Sequence, residues 1–75
     1  MNLKQHIRDI PDFPKPGILF RDITPLLYHQ ESFRYCVDAF AKKSEIISPD
    51  VIVGIESRGF IFGSALAYEM QLPFV

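Results

Sequence analysis

A run of five residues, Val51–Ile55, restricts the fold of this chain more than any other segment. It reads Val-Ile-Val-Gly-Ile and lacks the alternation of apolar and polar residues that marks a strand with one face in water. A continuous β-branched run is typical of a parallel strand buried on both faces. Since parallel strands are joined by crossover connections that are usually helical, the run predicts an α/β domain.

The residues after this run fit such a connection. Phe60–Met70 is apolar almost all round and contains small residues that let a helix approach a sheet closely, namely Gly63, Ser64, Ala65 and Ala67. Pro73 prevents the helix from continuing, and Phe74-Val75 begins a further strand. Strand, helix and strand together predict a βαβ unit.

The N-terminal part mixes short elements with a stiff loop. Apolar residues at positions 3, 7 and 10 predict a short amphipathic helix over Leu3–Ile10. Pro11–Gly17 contains three prolines and a glycine, which predicts a stiff, extended path. Ile18–Phe20 follows as a short extended piece.

Two helices are predicted next. Thr24 is placed to cap a helix whose first position is Pro25. Glu31–Ile47 is the clearest helix of the chain, and its predicted core face consists of Phe33, Cys36, Val37, Phe40 and Ile47.

Composition excludes several classes of protein. The 8 basic and 9 acidic residues give a net charge of −1, which argues against a nucleic-acid module or a polybasic membrane anchor. The single cysteine of the chain, Cys36, cannot form an intrachain disulfide, which suggests a reducing, cytoplasmic setting. His6 and His29 lack the spacing of metal ligands, so no metal site is predicted. Because the sequence stops within an apolar run, Leu72–Val75, we expect residues 1–75 to be the front portion of one larger domain.

The first candidate site is the strand-to-helix junction, Gly54–Phe60. Free N–H groups at a helix N-terminus attract anions, and the Arg58 guanidinium can hold two phosphate oxygens. Gly59 would allow close approach of a ligand, and Glu56 could accept a hydrogen bond from a sugar hydroxyl. Alternatively, Ser57 caps the helix while Arg58 and Glu56 pair on the surface. Position alone does not separate the two interpretations.

The second candidate site lies in the proline-rich segment. Phe20 could stack on a flat heterocycle, with neighbouring backbone groups reading its polar edge. Alternatively, the segment only straps the domain, Phe20 belongs to the core, and Arg21 and Asp22 form a local ion pair before the Thr24 cap. Without further information the structural interpretation is favoured.

The stretches Pro11–Leu27 and Ser57–Gly63 together resemble the adenine phosphoribosyltransferases. The resemblance extends over nearly the whole chain, and the order and separation of the two motifs also fit. It implies the type I phosphoribosyltransferase fold, a parallel sheet flanked by helices, of which this chain would hold the N-terminal helices and the first βαβ unit. It also implies purine salvage, in which ribose 5-phosphate passes from phosphoribosyl pyrophosphate to adenine, yielding AMP and pyrophosphate.

The resemblance also assigns residues. Phe20 would stack on adenine while the main chain of Leu19 and Arg21 reads its edge. Pyrophosphate would be bound by Glu56, Ser57, Arg58 and Gly59, with a cis peptide at Glu56–Ser57. No catalytic residue is expected in this segment, which alone should be inactive. Mg²⁺ would be bound mainly through phosphoribosyl pyrophosphate, and the complete protein would be a cytoplasmic homodimer without nucleic-acid or membrane partners.

Two other interpretations remain at this point. The chain could belong to a non-catalytic regulator on the same fold that senses a purine or phosphoribosyl pyrophosphate. It could also belong to an unrelated βαβ domain in which Glu56–Gly59 holds another phosphate.

Overall fold

The computed structural model describes all 75 residues, which form two compact units, Met1–Tyr35 and Cys36–Val75. The elements are a 3₁₀ helix at Leu3–His6, strands β1 (Arg8–Pro11) and β2 (Leu19–Asp22), and helices α1 (Thr24–Tyr28), α2 (Gln30–Ile47) and α3 (Glu56–Met70). No helix combines the length and the apolar character needed to cross a membrane.

The first unit is built on an antiparallel hairpin of β1 and β2, in which Ile10 lies opposite Phe20 and Pro11 opposite Leu19. The helix predicted over Leu3–Ile10 is therefore wrong beyond the 3₁₀ turn at its start. Isolated helices of this length are marginal, so pairing with a distant strand outweighs three apolar residues at helical spacing.

Charged side chains cross this hairpin in complementary pairs. Arg8 pairs with Asp22, and the Arg21 Nε lies 3.4 Å from Asp9 Oδ1. The local Arg21–Asp22 pair considered from the sequence is therefore wrong. Both strands contain an Arg-Asp dipeptide, and antiparallel register places each arginine opposite the other strand's aspartate.

Asp22 is the most heavily bonded of these groups, with only 9% of its surface exposed. Its carboxylate accepts hydrogen bonds from Thr24 N and Thr24 Oγ1, both at 2.9 Å, and from two guanidinium nitrogens of Arg8. The Thr24 backbone N–H, followed by Arg8 and the Thr24 hydroxyl, lowers the pKa of Asp22 from 3.8 to about 2.

The Asp22 carboxylate also changes how α1 begins. Thr24 was expected to cap this helix, but its side chain donates to Asp22 instead, and Ile23 precedes the helix without a side-chain cap. Pro25 stands in the first turn, as expected. A buried serine, Ser32, donates its hydroxyl to Leu26 O at 2.6 Å and thereby ties α1 to the start of α2.

A stiff loop joins β1 to β2, as the sequence predicts. The Phe13–Pro14 peptide is cis, and Gly17 has a φ of +89°, which glycine adopts without strain. Asp12 Oδ1 accepts from Gly17 N at 2.9 Å, and Phe13 N donates to Ile18 O at 3.1 Å. These bonds hold the loop closed at the base.

Helix α2 confirms the predicted helix to within one residue at its start. Its core face is only partly as predicted. Val37 and Ala41 are buried, whereas 46% of Phe40 and 78% of Ile47 are exposed. The small Ala41 was missed because a core face was sought among large apolar residues. Burial raises the pKa of the Cys36 thiol, which fits a packing role.

In the second unit the segments predicted as parallel strands, Val51–Ile55 and Phe74-Val75, lie on either side of α3 in sequence and meet in a single parallel bridge, without forming full strands. Ile52 forms a parallel bridge with Phe74, supported by hydrogen bonds from Ile52 N to Pro73 O and from Val75 N to Ile52 O, each 2.9 Å. Burial of the first strand on both faces is not observed, because 63% of Val53 and 79% of Ile55 are exposed. Its parallel partner is short, since the two segments share a single bridge.

Helix α3 begins at Glu56, four residues before its predicted start at Phe60, and approaches the strand through glycines. A Cβ on Gly54 would lie 2.6 Å from Gly59 O and 2.7 Å from Phe74 Cζ. A Cβ on Gly63 would lie 2.6 Å from Phe74 Cε1. Of the small residues predicted to allow close packing, Gly63 is confirmed, since its missing side chain makes room for the Phe74 ring.

Replacing Gly54 by alanine should destabilise the chain. The new methyl group would clash with backbone as well as with a ring, and overpacking of this kind typically costs about 1–3 kcal/mol. The free energy of unfolding in urea measures this loss. S64A is a suitable control, because Ser64 donates only to Ile61 O of its own helix. Equal stability of G54A and S64A would contradict the packing described here.

Acid should weaken the hairpin through Asp22. Because folding lowers this pKa from 3.8 to about 2, the unfolded chain takes up a proton first as the pH falls. The stabilisation is therefore complete above about pH 4 and is lost as the pH falls toward 2. Urea midpoints of wild type and D22N, measured from pH 5 to pH 2, should converge on acidification. A constant difference between them would contradict this assignment; D9N, at the exposed Asp9–Arg21 pair, is the control.

Candidate functional site

Phe20 stands on β2 in an orientation fixed by a second aromatic ring. The rings of Phe13 and Phe20 meet edge to face, with centroids 5.3 Å apart and an angle of 75° between their planes. Phe20 is 39% exposed, so it is not the core residue that the structural alternative required. A ring that is held by the protein and partly open to solvent can receive a flat ligand.

The backbone on either side of Phe20 can be oriented from the register of the hairpin. In an antiparallel pair, residues two apart along a strand direct their N–H and C=O groups toward the same edge. Leu19 and Arg21 therefore present their polar groups on one side of β2. Opposite Leu19 is Pro11, which has no N–H to donate and fits a position without inter-strand bonds. We infer that these groups of Leu19 and Arg21 point away from β1.

In the second unit, the residues expected to bind pyrophosphate form the first turn of α3. Ile55 precedes the helix and no side chain caps it, so Ser57 is not the cap that the sequence alternative proposed. The N–H groups of this turn, including those of Ser57 and Arg58, lack intrahelical partners. They form the positive end of the dipole of a 15-residue helix. This end of the helix is suited to bind an anion.

The backbone turns into this helix at Glu56, which has a φ of +58°. This left-handed conformation is uncommon for a residue with a side chain. The peptide between Glu56 and Ser57 is trans, since the only cis bond is at Phe13–Pro14. The cis peptide that the resemblance implies is therefore wrong, and the positive φ of Glu56 directs the chain from strand to helix instead.

Arg58 lies at the surface of this turn and contacts Glu56. Its Nε donates to Glu56 Oε1 at 2.9 Å, and its Nη2 lies 2.8 Å from the same oxygen. Side-chain exposures of 62% and 59% leave the pair in water. The surface pair considered from the sequence is thus present.

Gly59, which is expected to bind pyrophosphate, also packs against Gly54 at the end of the preceding segment. A Cβ at this position would lie 3.3 Å from the carbonyl carbon of Gly54, so the missing side chain serves the contact between helix and strand. This contact places the helix N-terminus directly at the end of the strand.

Two histidines that are distant in sequence come together in the first unit. The rings of His6 and His29 are 5.2 Å apart at their centroids and border a cavity of about 400 Å³ with Glu31. Sequence spacing could not reveal this pair, because it depends on the packing of the 3₁₀ helix against the end of α1. No group of three or more potential metal ligands is present.

Comparison with known proteins gives consistent matches. The adenine phosphoribosyltransferase of Rippkaea orientalis is 58% identical over 77 aligned positions, which cover 100% of this chain and 45% of the relative. That of Acaryochloris marina is 60% identical over 75 positions, covering 100% of this chain and 44% of the relative. No protein-family model matches the chain.

Solved structures give the same result. The adenine phosphoribosyltransferase of Thermoanaerobacter pseudethanolicus superposes with a TM-score of 0.91 at 48% identity, over 97% of this chain and 44% of that one. The Saccharomyces cerevisiae enzyme, crystallised with adenine and an imino-altritol bisphosphate, superposes with a TM-score of 0.88 at 42% identity, over 97% and 46%.

These matches exclude an unrelated βαβ domain. The chain spans about 45% of the length of the curated relatives it matches. Over its whole length it is homologous to the N-terminal part of the adenine phosphoribosyltransferases, and its fold is the N-terminal part of the type I phosphoribosyltransferase fold.

Proposed function

We propose that the full-length protein containing this chain is an adenine phosphoribosyltransferase of purine salvage. It would transfer the 5-phosphoribosyl group of phosphoribosyl pyrophosphate to adenine, forming AMP and pyrophosphate. The observation that carries the proposal is identity of 56–60% over the whole chain with curated relatives of that name. Structures of homologues with adenine and with 9-deazaadenine support the choice of base.

Adenine recognition is assigned to β2. Phe20 stacks on the base, and its contact with Phe13 limits ring motion before adenine arrives. The Leu19 and Arg21 backbone supplies a donor and an acceptor to the base edge. Guanine and hypoxanthine reverse part of that pattern, and an unmatched buried polar group costs about 1–3 kcal/mol. The backbone, rather than a side chain, would therefore select the base.

Pyrophosphate binding is assigned to Glu56, Ser57, Arg58 and Gly59. An exposed ion pair contributes about 0–1 kcal/mol, so Arg58 can exchange Glu56 for a diphosphate at small cost. The guanidinium then forms paired, charge-assisted bonds that Lys could not reproduce. The released Glu56 carboxylate can accept from a ribose hydroxyl. Arg58 and the N–H groups of the turn stabilise the charge that the leaving group gains as its bond to C1 breaks.

Mg²⁺ enters this proposal only with the substrate. The residues of this chain hold no cluster of three potential ligands and do not fit a protein-held ion. The diphosphate of phosphoribosyl pyrophosphate supplies the oxygens that Mg²⁺ prefers.

The proposal includes the setting of the full-length protein. A reduced Cys36 and the salvage reaction both suit the cytoplasm. We also propose a homodimer that uses no nucleic-acid or membrane partner. Sedimentation of the full-length protein tests the dimer.

Removing the Phe20 ring should weaken the binding of adenine more than the binding of phosphoribosyl pyrophosphate. F20A should raise the KM for adenine by about tenfold or more, because loss of base–aromatic stacking costs about 1–3 kcal/mol. The KM for phosphoribosyl pyrophosphate should stay near wild type. Steady-state AMP formation by the full-length protein measures both. Y28A, which removes an 85% exposed ring of the same unit, is the control. An equal rise in both constants would make Phe20 a structural residue.

Removing the Arg58 guanidinium should instead weaken the binding of the phosphoribosyl donor. R58A should weaken binding of phosphoribosyl pyrophosphate and pyrophosphate by about 1.5–3 kcal/mol, the range for hydrogen bonds to charged groups. Calorimetric titration with each ligand measures the loss. R34A, at an exposed arginine of α2, is the matched control. Unchanged affinities in R58A would refute the assignment. Tight binding of both ligands by the wild type without AMP formation would instead identify the non-catalytic regulator.

A further inference from the structure

The strand assigned to adenine ends at a carboxylate that joins three elements. Asp22 follows Arg21 directly at the end of β2. Its Oδ2 accepts from Arg8 Nε of β1 at 3.1 Å and also from Arg8 Nη2. Its Oδ1 accepts from the backbone and hydroxyl of Thr24, in the first turn of α1. One side chain therefore fixes β2 to β1 and to α1 at once.

The covalent position of Asp22 gives these bonds an effect on the base site. The carbonyl of Arg21 and the N–H of Asp22 belong to one planar peptide unit. Rotation of this peptide plane therefore turns the Arg21 carbonyl together with the Asp22 N–H. Recognition groups must be held within about 0.5 Å and 10–20° of their productive geometry. The other end of the strand is already held, since Phe13 N donates to Ile18 O at 3.1 Å.

We propose that Asp22, together with Arg8, is a positioning residue for adenine: it aligns the Leu19 and Arg21 backbone with the edge of the base. The inference rests on the proposed function and adds a residue that does not itself touch the substrate. Phe20 supplies stacking, which tolerates small displacements. The hydrogen bonds between the backbone and the base do not tolerate such displacements. Alignment by Asp22 therefore determines how well adenine is distinguished from other purines.

The hairpin offers a matched comparison. Asp9 and Arg21 form the neighbouring cross-strand pair, but through a 3.4 Å contact between side chains that are 55% and 66% exposed. The side chain of Asp22 is 12% exposed, and it also binds Thr24. Loss of Asp9 should leave β2 in place, whereas loss of Asp22 or Arg8 should release its end.

The test is steady-state AMP formation by the full-length protein carrying D22N, R8M, R8K or D9N. D22N keeps an oxygen that can accept from Thr24, and R8M keeps much of the arginine stem while leaving Asp22 bound to Thr24. We expect D22N and R8M to raise the KM for adenine by about tenfold, as for the loss of one well-aligned hydrogen bond. The KM for phosphoribosyl pyrophosphate should stay within about twofold in both. R8K should restore part of the affinity, and D9N should match wild type.

Adenine KM values within twofold of wild type in both D22N and R8M would overturn the inference, as would an equal rise in both constants. Loss of folded protein in both variants would make the pair a folding requirement and would also overturn it. A wild-type protein with no adenine activity would refute the proposed function itself, which is a separate outcome. Greater use of hypoxanthine by D22N than by D9N would support the inference directly.

Discussion

The contact between Gly54 and Gly59 determines how the chain passes from the Val51–Ile55 segment into α3. At Gly54 the backbone lies so close to Gly59 O that even a methyl group would clash. A strand can therefore pass into a helix within a single turn, with Glu56 at a positive φ making the change of direction. Because the turn is so short, the uncapped N–H groups of α3 lie directly at the end of the strand. The anion-binding capacity proposed for Glu56–Gly59 depends on this arrangement.

In the first unit the structural requirement is different: the short strand β2 has to be held in a fixed position. Two strands alone are marginal in water, so the hairpin needs other support. A proline-rich loop closes one end, and at the other the Asp22 carboxylate connects β1, β2 and the start of α1. Phe20 lies between these two fixed points. A rigid platform of this kind reduces the entropy lost when a flat base binds.

The sequence predicted the features that depend on neighbouring residues. The long helix and the stiff proline loop follow from local pattern and are present, and the parallel pairing expected of the βαβ connection is present as a single bridge. The predictions were wrong where residues distant in sequence determine the local structure. Arg8–Pro11 became a strand because its partner lies on the other side of a loop, and Thr24 lost its capping role to Asp22.

The candidate site shows the same division. The residues around Phe20 and Arg58 were found from their motifs, which are local. The pairing of Arg8 with Asp22 and of His6 with His29 depends on tertiary packing and was missed. The paired Arg-Asp dipeptides were nonetheless a usable signal, since complementary charges in antiparallel register predict a hairpin. The close approach of Gly59 to Gly54 was not predicted, because the sequence does not show that these two residues pack against each other.

We propose that this chain carries the base-selecting part of an adenine phosphoribosyltransferase. Product formation by the full-length protein tests this proposal, with phosphoribosyl pyrophosphate and adenine, hypoxanthine or guanine supplied separately and the products resolved by chromatography. We expect AMP from adenine, and little or no product from the other two bases. Equal conversion of hypoxanthine, or no nucleotide from adenine, would contradict it.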